Sequence, residues 1–191
     1  MTIALSACTD GELVGLSRMG RQDAFAEIMR RHRDAIYRLV RGHVGDADEA
    51  LDITQECFAS AWRALDRFED ARSLRRWLAR IAINKCRDWG RRRAVRRLFT
   101  FAVPMTDVLA EMIEDPGPGA HREISGREEA QRLWSAIAKL PAGMKEPLLL
   151  CAVEELSYAE AAAVLRISAK AVESRLYRAR RKLARILDEE C

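Results

Sequence analysis

Ten basic residues fall between Arg75 and Arg97 (Arg75, Arg76, Arg80, Lys85, Arg87, Arg91, Arg92, Arg93, Arg96 and Arg97) against a single acid, Asp88. Eight more fall between Arg166 and Arg185, against Glu173 alone. Guanidinium and ammonium groups at this density neutralise phosphates, and the arginine fork also fits the acceptor edge of guanine. The net charge is only +4 over 191 residues because acids gather elsewhere. Asp46, Asp48, Glu49, Asp52 and Glu56 form one cluster; Asp107, Glu111, Glu114, Asp115 and Glu123 form another. One basic run is ordinarily a solvated helix face. Two, one in each half, point to a polyanion gripped twice.

Other chemistry is poorly served. The five cysteines (Cys8, Cys57, Cys86, Cys151, Cys191) are odd in number and scattered, with no C-x-x-C pair, which argues against a disulfide framework or a Cys-rich zinc site. Cys57, Cys86 and Cys151 occupy apolar helical positions and are expected in the core. His32, His43 and His121 lack ligand spacing, and no phosphate-binding glycine loop is present. No metal, cofactor or catalytic group is expected. The longest apolar stretch, Pro147–Val153, is far short of the roughly 20 residues that cross a membrane. The first eighteen residues carry Asp10 and Glu12 and show no basic start before an apolar run, so a cytoplasmic protein is expected.

The elements that must position these charges are helical. Phe25, Ile28, Met29, Ile36, Leu39 and Val40 recur at three- and four-residue spacing, predicting a helix over Ala24–Arg41 that Gly42 and Gly45 end. A second, about Ala47–Leu65, carries Leu51, Phe58, Ala61 and Trp62. A third starts after Ser73 with Leu74, Trp77, Leu78 and Ile81 and continues to Trp89. The stripe makes Trp77 a core residue and leaves Trp89 open. Between Leu98 and Gly126 the pattern breaks, and Asp115-Pro116-Gly117-Pro118-Gly119 reads as a connector, although Val108–Met112 can form a helical turn. Helices resume at Arg127–Leu140 and Lys145–Glu154, with Pro147 tolerable only in a first turn.

The C-terminal segment from Leu156 to Leu183 is the most specific signal. Ser157 and Glu160 fit a capping box, Arg166-Ile167 makes a tight turn, and Ser168 caps the next helix. That helix buries Val172, Leu176, Ala179, Leu183 and Ile186 and exposes Lys170, Ser174, Tyr177, Arg178 and Arg181. Two short helices with a basic second member describe a helix-turn-helix, whose second helix enters the major groove. The fold class is all-α: two small helical domains joined by a flexible linker, the second containing the helix-turn-helix. Boundaries are 1–23 (extension), 24–97, 98–126 (linker) and 127–191.

Three blocks, Ala50–Leu65 (ALDITQECFASAWRAL), Arg76–Arg93 (RWLARIAINKCRDWGRRR) and the helix-turn-helix, together resemble the extracytoplasmic-function (ECF) type of bacterial RNA polymerase sigma factor, in the order of its regions 2 and 4. The resemblance implies a non-catalytic subunit that binds core RNA polymerase, directs it to promoter DNA, and is held by an anti-sigma factor, often membrane-anchored. It implies that Asp52, Gln55 and Glu56 contact polymerase, with Phe58 and Trp62 packing. The proximal promoter element falls to Phe68, Arg72, Ser73, Arg75, Arg76, Arg80, Asn84, Lys85, Arg87 and Arg91. The distal element falls to Lys170, Glu173, Ser174, Arg175, Arg178 and Arg181. By family analogy alone, the acidic linker threads near the polymerase's RNA exit path. Where many relatives carry glycine in the turn this chain has Arg166, at a cost of roughly 1 kcal/mol if left-handed. Ala171 and Glu173 stand where Thr and Lys are frequent, which leaves base preference there open.

Two rivals stand beside this reading. A conventional helix-turn-helix regulator with an N-terminal sensor or dimerisation domain explains the second basic block but not the first. A helical adaptor whose basic faces meet acidic proteins or lipids explains neither the capped helices nor their ordered turn.

Overall fold

The Thr9 hydroxyl accepts from the Glu12 amide at 3.3 Å, and the Glu12 carboxylate accepts from the Thr9 amide at 2.6 Å. This reciprocal cap starts α1 (Asp10–Arg18), a helix inside what the sequence leaves as an extension. The computed structural model describes residues 4–69, 73–100 and 121–189, with backbone alone at 97–100 and 121–128. Leu13 and Val14 of α1 are fully buried against α2 (Gln22–Val44). The expected stripe of α2 is inside, with Phe25, Ile28, Ile36, Leu39 and Val40 buried. Gly42 does not end this helix. It lies within it, and Gly45, left-handed at φ 84°, forms the cap.

Asp46 caps α3 (Ala47–Ala64), accepting from the Glu49 amide at 2.9 Å. A 3₁₀ turn, Leu65–Arg67, closes α3, and α4 (Leu74–Thr100) extends well past Trp89. Helices α2, α3 and α4 pack pairwise into one three-helix unit, with α1 on its side. Helix α5 (His121–Lys139) begins before the expected Arg127. Residues 101–120, which include Val108–Met112 and the Pro-Gly run, lie outside the described residues.

Helix α6 (Ala142–Leu148) places Pro147 in its second turn rather than its first. Proline has no N–H to continue the ladder there, and directly after it the backbone widens into a π turn, Leu149–Val153. Helices α7 (Tyr158–Leu165) and α8 (Ala169–Glu189) follow, both packed on α6. Ser157 and Glu160 form the expected capping box, and Arg166 ends α7 at φ 58°, ψ 47°. That is the left-handed conformation the sequence flagged as costly.

One hydrophobic cluster runs through both halves. Gly42 lets them meet: a Cβ there would collide with Leu149 Cδ2 and lie 2.9 Å from Trp134 Cζ3. At Gly45 a Cβ would lie 2.6 Å from the Ala138 Cβ. Among the described residues no helix is long and apolar enough to cross a membrane.

Candidate nucleic-acid interface

Helix α3 turns Ile53, Thr54, Cys57, Phe58 and Ala61 inward. The same periodicity turns Asp52, Gln55 and Glu56 outward together, as positions three and four apart share a face. Glu56 Oε2 lies 3.4 Å from Lys85 Nζ, and Trp89, now placed in the core, donates to Glu49 Oε2 at 2.7 Å. Glu49, Asp52 and Glu56 thereby edge a groove whose far wall is Arg91, Arg92 and Val95 of α4. Acids beside exposed Leu51 and Val95 suit a basic, amphipathic partner helix. Phe58 is buried, whereas Trp62 is 39% exposed and meets Phe25 edge-on at 4.9 Å.

The basic face of α4 is only partly open to solvent. Ser73, Asn84 and Arg91 are exposed; Arg75, Arg76, Arg80, Lys85 and Arg87 are half-buried. Arg91 pairs with Asp88 within its own helix. Three of the arginines face carboxylates of the second half. Arg87 bonds Glu146 twice, at 2.7 and 2.6 Å, Arg75 Nε lies 3.4 Å from Glu154, and Arg76 Nε lies 4.0 Å from Glu160. Ser73, Arg76, Trp77 and Arg80 line a cleft against Ala163 and Val164 of α7. Phe68 is buried, its ring centroid 5.1 Å from that of Trp77, which is half-buried rather than fully core. Arg72 lies outside the described residues.

The second basic face is open. The Ser168 hydroxyl accepts from the Ala171 amide at 3.1 Å and starts α8. Val172, Leu176 and Ala179 are buried, and Lys170, Glu173, Ser174, Arg178 and Arg181 are exposed along the opposite side. Arg175 is half-buried. Arg178 Nε donates to the Ser174 carbonyl at 3.3 Å, and the Arg181 guanidinium lies 5.7 Å from the Tyr177 ring centroid. In a helix-turn-helix, the side chains near the N-terminus of the second helix are the ones placed to reach base edges.

The sequence reading missed the groups that join the halves. Lys145, 7% exposed, donates to the carbonyls of His43 at 2.8 Å and Ala138 at 2.6 Å. Burial lowers its pKa from 10.5 to about 8. Burial works upward on the Glu146 carboxyl, but hydrogen bonds and charge from Arg87 and His43 together outweigh it and leave the pKa lowered. A Lys-Glu pair at the head of an apolar run was the available signal, because buried charges require partners. Burial pushes the Cys57 thiol up to about 12 and raises Cys86 as well, so both behave as inert core groups. Among the described residues no cluster of acids, histidines and cysteines is arranged to hold a metal.

The chain matches the family Sigma-70 region 2 over residues 28–96 and Sigma-70, region 4 over residues 130–183. It is 38% identical to the RNA polymerase sigma factor CnrH of Cupriavidus metallidurans, covering 95% of each chain. It is 31% identical to the ECF RNA polymerase sigma factor SigW of Bacillus subtilis, covering 89% of this chain and 92% of that one. Among solved structures, CnrH in complex with the cytosolic domain of CnrY superposes with a TM-score of 0.69 at 34% identity, over 95% of this chain and 99% of that one. The sigma factor RpoE of Bartonella quintana, solved with the anti-sigma factor NepR, shares the fold at a TM-score of 0.67 and 23% identity, over 86% and 96%.

Proposed function

From the premise that this chain belongs to the ECF group of the sigma-70 family of RNA polymerase sigma factors, we propose how its residues divide the family's work. The protein is a non-catalytic specificity subunit that binds core RNA polymerase and directs it to promoter DNA. Residues 24–97 act as region 2 and residues 127–191 as region 4, joined by the linker at 98–126. Asp52, Gln55 and Glu56 meet the polymerase. The α4 face, with Arg72 and Ser73 before it, takes the proximal promoter element: arginines hold the backbone while an unstacked base is captured. Lys170, Glu173, Ser174, Arg175, Arg178 and Arg181 read the distal element. The protein works in the cytoplasm.

The observation that carries this division is the segregation of charge onto separate helices. An acidic exposed row lies on α3, a basic face on α4, and a second basic face on α8. Each DNA contact alone is weak; mounted on polymerase, the second becomes intramolecular. The relative CnrH is solved with the cytosolic domain of CnrY. We infer a comparable inhibitor here, an anti-sigma factor that presents a cytosolic segment and is membrane-anchored.

Run-off transcription with core polymerase and genomic DNA tests the reading and reveals the promoter. Lys170→Glu with Arg178→Glu should abolish promoter-directed transcription while the chain still co-purifies with core polymerase. Unchanged promoter use, or specific DNA binding without polymerase, would overturn it.

A further inference from the structure

Helix α3 and its 3₁₀ turn end at Arg67, and the last carbonyls of any helix lack partners in their own ladder. A residue far away in sequence supplies donors. Arg18, the final residue of α1, donates from Nε and Nη2 to the Leu65 carbonyl at 3.3 and 3.2 Å, and from Nη2 to the Phe68 carbonyl. Phe68 in turn lays its ring against Trp77, which lines the cleft holding Ser73, Arg76 and Arg80. One guanidinium thus fixes the backbone from which the chain leaves α3 for α4.

Arg18 is itself held firmly. Its helix is capped by Thr9 and Glu12 and buries Leu13 and Val14 completely. Arg31 of α2 binds the carbonyls of Leu5, Ser6 and Cys8 at 2.8–3.1 Å, and His32 meets Asp10 at 2.9 Å. The N-terminal segment is therefore a brace whose end carries the fork.

We propose that Arg18 is a positioning residue for recognition of the proximal promoter element, acting through the Leu65 and Phe68 carbonyls on the Phe68–Trp77 wall. This rests on the reading of α4 given above. Nε and Nη2 converge on the Leu65 carbonyl while Nη2 also serves Phe68, three bonds from one side chain that a methyl group cannot replace. Misplacement of a recognition group by about 1 Å costs up to roughly a hundredfold in rate.

The test uses reconstituted holoenzyme on the promoter found by run-off. Opening rates are compared on that promoter and on one with its most sensitive proximal base replaced. Arg18→Ala should lower the ratio of the two rates roughly tenfold while polymerase association persists. Arg21→Ala, which removes a nearby guanidinium that pairs with Asp23 instead, should leave the ratio intact. An Arg80→Ala, Asn84→Ala variant tests the underlying reading. If that variant loses discrimination and Arg18→Ala keeps it, the role of Arg18 is overturned alone. If the double variant keeps discrimination, the α4 reading fails and takes this proposal with it. A loss of polymerase association by Arg18→Ala in step with its opening rate, at constant ratio, makes Arg18 merely structural and also overturns the proposal.

Discussion

Arg87 and Glu146 form a two-point ion pair that joins α4 of the first half to α6 of the second, with Nε–Oε1 at 2.7 Å and Nη2–Oε2 at 2.6 Å. Glu146 is 3% exposed, so its carboxylate has left water and depends on that fork. A guanidinium bound this way holds a carboxylate in the geometry it would offer a phosphate. With Arg75 facing Glu154 and Arg76 facing Glu160, the contact between the halves and the proposed grip on DNA draw on the same arginines.

Glu146→Gln should therefore act twice. Loss of the charge removes about 1–2 kcal/mol from stability, less than a fully buried pair would because the Arg87 side chain is 39% exposed. Urea denaturation measures it. The freed Arg87 should raise affinity for duplex DNA and steepen its salt dependence by about one unit of slope.

Stability should depend on pH through the same junction. Glu146 has a lowered pKa in the folded chain, so its contribution is present above the ordinary carboxylate value of 4.5 and is lost as pH falls through the folded value. Lys145, lowered to about 8, binds fewer protons folded than unfolded between about 8 and 10.5, so its contribution rises with pH there. The raised thiols of Cys57, Cys86 and Cys151 act oppositely in the alkaline range. The lysine term is thus read as a difference: Lys145→Met should lose stability relative to wild type as pH rises from 8 to 10.5. Equal alkaline slopes for the two proteins would contradict it.

Gly42→Ala tests how the halves meet. The added methyl collides with Leu149 Cδ2 and crowds Trp134, and overpacking of this kind costs about 1–3 kcal/mol. Small-angle scattering should show a larger radius than wild type while helix content is retained.

Asp52→Lys with Glu56→Lys reverses the exposed row of α3 without entering its core. Association with core polymerase should fall tenfold or more, chiefly in on-rate and most steeply at low salt, as about 1.4 kcal/mol is a factor of ten. Binding of the isolated protein to DNA should not weaken.

Arg166→Gly should stabilise the protein by up to about 1 kcal/mol, since φ 58° strains a residue that carries a Cβ. Glycine's greater unfolded-state entropy trims the gain. Thermal denaturation measures it.

Much of this molecule was legible as a string. The stripes of α2 and α8 place most of their buried residues because a helix repeats every 3.6 residues, whatever it packs against, whereas Leu51 and Trp62 of the expected α3 stripe are exposed and Ile53 is buried. Ser157, Glu160 and Ser168 set helix starts through bonds that span only three residues. The outward row Asp52, Gln55, Glu56 and the open face of α8 follow from the same arithmetic. Gly42 was misread because a glycine after an apolar stripe is ordinarily a stop, and here its absent side chain serves a neighbour distant in sequence.

The sequence by itself determined the helical class, the caps at Asp46, Ser157 and Ser168, and the open face of α8, since these depend on interactions within about one turn. Only the tertiary structure decided that Arg75, Arg76 and Arg87 face Glu154, Glu160 and Glu146, and that Arg18 reaches the carbonyls of Leu65 and Phe68. Those pairings join residues 47 to 84 positions apart. No local periodicity encodes them, because a charge on a helix face takes its partner from whichever surface the packed core brings opposite.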